Sequence, residues 1–203
     1  MRVIKADLEG IEKGAEIILN GGLVVYPTET VYGLGCLPND PDAARRLCEV
    51  KQRATKPLPL ICSDTEIARK VVRFNPAAEI LAKRFWPGPL TLVLPSKISY
   101  SIWITHGGKS LGIRVPGYQI ARELTRQSGG VLVSTSANVS GEQPPFTARE
   151  AEIQIGKKVD LILDGGSSPG QLPSTVLDLT GEELWILRSG PISGKEIIET
   201  LKA

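Results

Sequence analysis

Short apolar runs closed by proline or glycine punctuate this chain, and their order constrains the fold more than any other feature. Arg2–Lys5, Leu23–Tyr26, Leu60–Cys62, Leu90–Leu94, Leu111–Val115, Val131–Ser134, Leu161–Leu163, Thr175–Leu179 and Leu184–Leu187 each have the length and aliphatic content of a strand. Some are separated by segments of helical spacing, whereas others follow one another with only a turn between. A purely parallel sheet needs a crossover after every strand. This order therefore predicts a twisted, mixed parallel and antiparallel sheet with flanking helices, an α/β fold of α+β character. A length of 203 residues suits one sizeable core, and 1–203 is read as a single domain.

Helix signals fill the gaps. Asp7 caps a helix whose apolar positions Leu8, Ile11, Ala15, Ile18 and Leu19 recur at helical spacing, and Gly21-Gly22 stops it. Asp40-Pro41 starts a second, with Ala44, Leu47, Cys48 and Val50 inward, that runs out at Lys51-Gln52-Arg53. Ser63 with Glu66, and Thr147 with Glu150, fit capping boxes. Asn75-Pro76 opens a helix that Trp86-Pro87-Gly88-Pro89 ends, Tyr118–Ser128 forms another, and Gly194–Lys202 is terminal. Residues 96–109 carry no readable pattern.

Several function classes drop out. A net charge of +2 and a pI near 8.4 do not demand an extended nucleic-acid groove. No apolar run reaches the ~20 residues that span a bilayer, and charge comes too early for a signal peptide, so a soluble, cytoplasmic protein is expected. Cys36, Cys48 and Cys62 lack zinc-site spacing and read as buried thiols. His106 is the only histidine and has no nucleophile elbow near it, which disfavours a hydrolase triad. Gly190–Glu196 is one residue short of a P-loop and has Glu196 where a magnesium-binding hydroxyl belongs.

Four places combine strand ends with polar groups. In Val24–Gly35, Pro27 ends an extended run, and Thr28, Glu29 and Thr30 lead to Gly33 and Gly35, which read as a loop free to adopt unusual backbone angles. Lys51 and Arg53 lie just past a helix. Ser134-Thr135-Ser136-Ala137-Asn138-Val139-Ser140-Gly141 follows an apolar strand, where ligand sites of open α/β sheets sit. Ser174 enters a strand, Arg188 closes the next, and Arg114 lies inside an apolar run, where a cation must find partners. Such a set of cations, hydroxyls and an amide suits phosphoryl or nucleotidyl chemistry on a phosphate-bearing ligand, with Mg²⁺ carried on the phosphates.

Taken together, Tyr-Pro-Thr-Glu-Thr-Val-Tyr-Gly-Leu at 26–34, Lys-x-Arg at 51–53, Trp-Pro-Gly-Pro-Leu-Thr at 86–91, Arg-Val-Pro at 114–116, Ser-Thr-Ser-Ala-Asn-x-Ser-Gly at 134–141 and Pro-Ser-Thr-Val at 173–176 resemble the YrdC family of threonylcarbamoyl-AMP synthases. The resemblance implies a YrdC-like domain with a positively lined concave face. It also implies a reaction in which L-threonine, bicarbonate and ATP give L-threonylcarbamoyl-AMP and pyrophosphate, after which a separate transferase modifies tRNA. Carried over by position, Thr30, Cys62, Arg114, Ser134 and Ser174 would bind threonine. Lys51, Arg53, Ser136 and Asn138 would bind ATP and act in catalysis, with Pro57, Ser110, Pro144 and Arg188 as further nucleotide contacts. Mg²⁺ would enter with ATP rather than on protein ligands. Alanine at Lys51 or Arg53 is then expected to abolish adenylate formation and leave the fold intact.

The alternative is a YrdC-like RNA-binding module without adenylate synthesis. Relatives of that kind lack the Lys-x-Arg and Ser-x-Asn pairs, and both are present here, although the same cations could also touch RNA. A carbamoyl-transfer module of the hydrogenase-maturation type is disfavoured because the zinc-finger and acylphosphatase portions are missing.

Overall fold

A computed structural model describes residues 2–52, 56–170 and 172–202 of the chain. Its strands are β1 (Arg2–Lys5), β2 (Val24–Tyr26), β3 (Gly33–Cys36), β4 (Leu60–Cys62), β5 (Leu90–Pro95), β6 (Ser110–Arg114), β7 (Val131–Ser136), β8 (Leu161–Asp164), β9 (Thr175–Asp178) and β10 (Trp185–Arg188). They form one 10-stranded sheet in the order β1-β8-β2-β3-β7-β4-β6-β5-β9-β10. Pairing is parallel for β1/β8, β2/β8, β4/β6 and β5/β9, and antiparallel for β2/β3, β3/β7, β4/β7, β5/β6 and β9/β10. The mixed sheet is thus the one the order of apolar runs predicts.

Side chains alternate across each strand, and the sheet sorts them into two cores. Val25, Leu34, Leu60, Leu92, Ile113, Val133 and Leu177 face one side, where the helices α2 (Pro41–Lys51), α3 (Thr65–Val71), α4 (Pro76–Phe85) and α7 (Ala148–Ile155) contribute Leu47, Ala68, Leu81 and Ala151. The neighbouring residues Val24, Tyr26, Ile61, Leu132 and Leu163 face the other side, under α1 (Leu8–Leu19) and α6 (Gln119–Gln127). A short helix α5 (Ile102–Thr105) lies inside the unreadable stretch, and α8 (Gly194–Lys202) closes the described chain.

Three local expectations change. Gly33 and Gly35 lie in strand β3 rather than in a loop, and neither has a positive φ. Glycine is needed there for close approach: a Cβ on Gly35 would lie 2.8 Å from the Val133 carbonyl oxygen and 2.9 Å from the Tyr26 ring. The N-cap of α3 is Asp64, which accepts from the Ile67 amide at 2.8 Å, one residue beyond the expected Ser63. In α1, Leu8 and Leu19 are 74% and 54% exposed, because they are the first and last residues of the helix and lie at the edge of the stripe of Ile11, Ala15 and Ile18 that packs inward. The Thr147–Glu150 capping box forms in both directions.

Replacing Gly35 with alanine should cost about 2 kcal/mol, the range for overpacking a filled core, whereas Gly181→Ala, with open space around it, should stay within about 0.5 kcal/mol. Urea denaturation midpoints of the two variants check this. Burial pushes Tyr32, Cys36 and Tyr100 each up to about 12. Groups raised in this way stabilise the fold fully below their ordinary values of 10.0, 9.0 and 10.0, and the contribution is lost as pH rises through their folded values. Thermal midpoints should therefore hold steady near neutrality and fall progressively above about pH 9.

Candidate functional site

Beyond α1 and α6, the second face of the sheet opens into a cavity of about 510 Å³. The strand period of two builds its floor. In β6, Leu111 and Ile113 enter the large core while Ser110, Gly112 and Arg114 line the cavity. In β5, Leu90, Leu92 and Leu94 go to the core, and Thr91 and Val93 to the cavity. β9 turns Val176 and Asp178 to the cavity, and β7 turns Ser134 and Ser136 there. The rim comes from Thr28, Thr30, Lys56, Pro57, Ser174 and Arg188. Among the described lining residues the formal charges are Lys56, Arg114 and Arg188 against Asp178.

Arg114 is buried at one end. Its Nη1 donates to Thr30 Oγ1 at 3.2 Å and lies 3.6 Å from Glu29 Oε1. Thr28 Oγ1 donates to the Val31 carbonyl at 2.6 Å, so Thr30 is the donor in the 2.9 Å contact between the two threonine hydroxyls and turns a lone pair to the guanidinium. Among the described residues both carboxylate oxygens of Glu29 are buried without a hydrogen bond, and Arg114 is the cation beside them. Glu29 thus offsets the cost of burying Arg114, and only part of the guanidinium's hydrogen-bonding capacity is used. The sequence places Glu29 among the polar residues after Pro27 without giving it a partner; the signal for its role was Arg114, a cation in an apolar run that required one.

The same end holds two oriented hydroxyls. Tyr26, kept neutral because burial pushes its phenol up, donates to Ser134 Oγ at 2.7 Å. Ser174 Oγ lies 2.8 Å from Thr91 Oγ1, and Arg188 grips Ser174 through its carbonyl, at 2.9 and 2.8 Å, and its hydroxyl, at 3.0 Å. Further along, Lys51 is 2% exposed at the end of α2. Its ammonium donates to the Ser136 carbonyl at 2.6 Å and to Asn138 Oδ1 at 3.1 Å, while the Asn138 amide donates to the carbonyls of Val139 and Glu142.

Of the residues singled out from sequence, Thr30, Pro57, Ser110, Arg114, Ser134, Ser136, Ser174 and Arg188 line one cavity. Lys51 and Asn138 stand behind Ser136 and are not among the lining residues. Cys62 is packed in the large core, with burial pushing its thiol well up, and Pro144 is half-buried; neither lines the cavity. Arg53 lies outside the described residues. Ser134–Ser136 belong to strand β7 itself rather than to a loop beyond it, because they pair with Gly35–Gly33 of β3. A hydroxyl-lined strand beside a guanidinium fits a small carboxylate, and the remaining length of the cavity leaves room for a larger group.

The Sua5/YciO/YrdC family model, described as telomere recombination, matches residues 16–190. A threonylcarbamoyl-AMP synthase of Pyrococcus abyssi (strain GE5 / Orsay) is 40% identical over 189 residues, 92% of this chain and 56% of that protein. One of Idiomarina loihiensis is 38% identical over 172 residues, 82% of this chain and 91% of its own. The crystal structure of P. abyssi Sua5 complexed with L-threonine superposes with a TM-score of 0.95 at 36% identity, covering 99% of this chain and 61% of that one. The chain thus spans little more than half the length of the Pyrococcus relative.

The contacts of Lys51 revise the expectation that its alanine variant leaves the fold untouched. Lys51→Ala strands buried acceptors at Ser136 and Asn138 and should lower stability by about 1–3 kcal/mol, read as a reduced urea midpoint.

Proposed function

The chain belongs to the Sua5/YciO/YrdC family, and from that premise we propose that it converts L-threonine, bicarbonate and ATP into L-threonylcarbamoyl-AMP and pyrophosphate. The observation that carries this reading is the buried Arg114, held by Thr30 and Glu29 with Ser134 and Ser174 beside it, at one end of a cavity long enough to continue past Ser136 and Ser110. Arg114 would take the threonine carboxylate on its remaining N–H groups. The amine, its extra proton lost to solvent, would capture carbon dioxide, formed from bicarbonate with loss of hydroxide, as a carbamate. The second amine proton released would pass with the first to that hydroxide and to solvent. A carbamate oxygen would then attack the α-phosphorus as the bond to the β-phosphate oxygen breaks, and pyrophosphate would leave with that electron pair.

Lys51, Arg53, Ser136 and Asn138 are the proposed nucleotide set, with Pro57, Ser110, Pro144 and Arg188 in support. Lys51 would act chiefly by fixing the strand end at Ser136 and by adding positive potential near the phosphates. Mg²⁺, riding on the triphosphate, would supply charge neutralisation to the leaving pyrophosphate. Among the described residues no group of three or more His, Cys, Asp or Glu side chains could hold a metal ion. A tRNA threonylcarbamoyl transferase is the proposed consumer of the adenylate, and direct tRNA or RNA contact is proposed beside it. The proposed setting is cytoplasmic; among the described residues no helix is long and apolar enough to cross a membrane.

Pyrophosphate release in bicarbonate buffer with ATP and Mg²⁺ tests the reading. Release should require both L-threonine and bicarbonate, and L-serine and L-valine should support it poorly; release indifferent to amino acid would refute it. Arg114→Lys, which keeps the charge but loses the planar fork, should raise the KM for threonine at least about tenfold and leave that for ATP within about twofold.

A further inference from the structure

The cavity's own carboxylate has no part in the reaction as derived above. Asp178 ends β9 on the cavity side and is half-buried. Its Oδ1 accepts from the Thr180 amide at 2.9 Å and the Thr180 hydroxyl at 2.7 Å, which fixes the side chain; Oδ2 has no hydrogen bond among the described residues. Among the described lining residues it is the one acid. A carboxylate there repels phosphates and favours neutral donors.

The register gives its place. Asp178 pairs with Val93, and Val93 pairs with Gly112, so Asp178 lies two strands from β6 and one side-chain row from Arg114. Strand spacing of about 4.8 Å and a rise of about 3.3 Å per residue put the two backbone positions about 12 Å apart. Between them the floor is Val93, Thr91, Val176 and the bare backbone of Gly112, where an added Cβ would crowd Thr91 and Pro59 at 3.3 and 3.4 Å. The two ends are thus separated by a step of two valines, a glycine and Thr91, whose hydroxyl is already engaged by Ser174. An amino-acid carbamate joined through one phosphate to C5′ of a nucleoside spans a comparable distance from its carboxylate to its ribose hydroxyls.

We propose that Asp178 accepts a ribose hydroxyl of the nucleotide through Oδ2 and makes the site selective for ribonucleotides over deoxyribonucleotides. The inference rests on the adenylate reading above and names how that substrate's sugar is recognised.

The test is equilibrium binding by calorimetry, together with pyrophosphate release, using ATP, 2′-deoxy-ATP and 3′-deoxy-ATP. The wild type, Asp178→Ala and Asp178→Asn are compared, the last keeping an acceptor for Thr180. The wild type should bind ATP at least about tenfold more tightly than one of the deoxy analogues, the worth of one hydrogen bond to a charged group. Both variants should weaken ATP binding until that ratio falls within about twofold, with binding of the disfavoured analogue and the KM for threonine unchanged; should Asp178→Ala fail to fold, Asp178→Asn decides. Equal loss for all three nucleotides, a wild type indifferent to the sugar or unable to bind ATP, or an altered Mg²⁺ dependence with the ratio preserved would overturn the proposal. Sugar-selective binding without threonine-dependent release would instead sink the adenylate reading and leave the role of Asp178 standing.

Discussion

Alternation of side chains across a strand is the constraint on which this molecule depends. In β5, β6 and β9 the odd-or-even choice sends leucine and isoleucine to a closed core and sends serine, threonine, arginine and aspartate to the opposite face. Burial of the first set holds the strands in register, and that register places the second set. A slip of one residue in β6 would exchange Ile113 and Arg114, putting a guanidinium in the core and an isoleucine in the cavity. The energy that stabilises the sheet and the geometry of the site are therefore one quantity.

The cavity keeps its buried charge affordable by local neutralisation. Arg114 is set against Glu29, and Thr30 adds a hydrogen bond, so the cation is compensated before any ligand arrives. Lys51 is handled differently: its ammonium is surrounded by the Ser136 carbonyl and the Asn138 amide oxygen, and its charge is spread into a strand end and the following turn. A neutral Tyr26 completes the set by fixing Ser134, and it reaches that hydroxyl because Gly33 and Gly35 leave its ring room against β3. Two glycines that resemble loop residues thus act as packing residues.

Family membership and site geometry support one reading from different directions. The relatives named as threonylcarbamoyl-AMP synthases share about two fifths of their aligned residues with this chain. Independently, the residues in the cavity sort into an end around the buried Arg114 and a longer stretch bounded by Ser110, Lys56 and Asp178. A site of that shape suits the proposed pairing of a small amino acid with a larger polar ligand, which is what adenylation of a carbamate requires.

Strand placement, helix starts and the mixed character of the sheet were legible because they depend on local quantities: apolar run length, period and capping chemistry. Asp7, Asp40, Asn75 and Thr147 each cap the helix expected of them. Most of the polar residues that share the cavity were also visible, as hydroxyls and cations at strand ends. The sequence could not reveal that Gly33–Cys36 pairs as a strand, since glycine carries little strand preference and its value there comes from the Tyr26 ring and the Val133 carbonyl. Nor could it reveal that Glu29 faces Arg114 or that Lys51 stands behind Ser136. Those facts depend on which strands become neighbours, across 85 residues in the case of Lys51 and Ser136. Short-range chemistry determined the elements, and only long-range pairing decided which side chains meet.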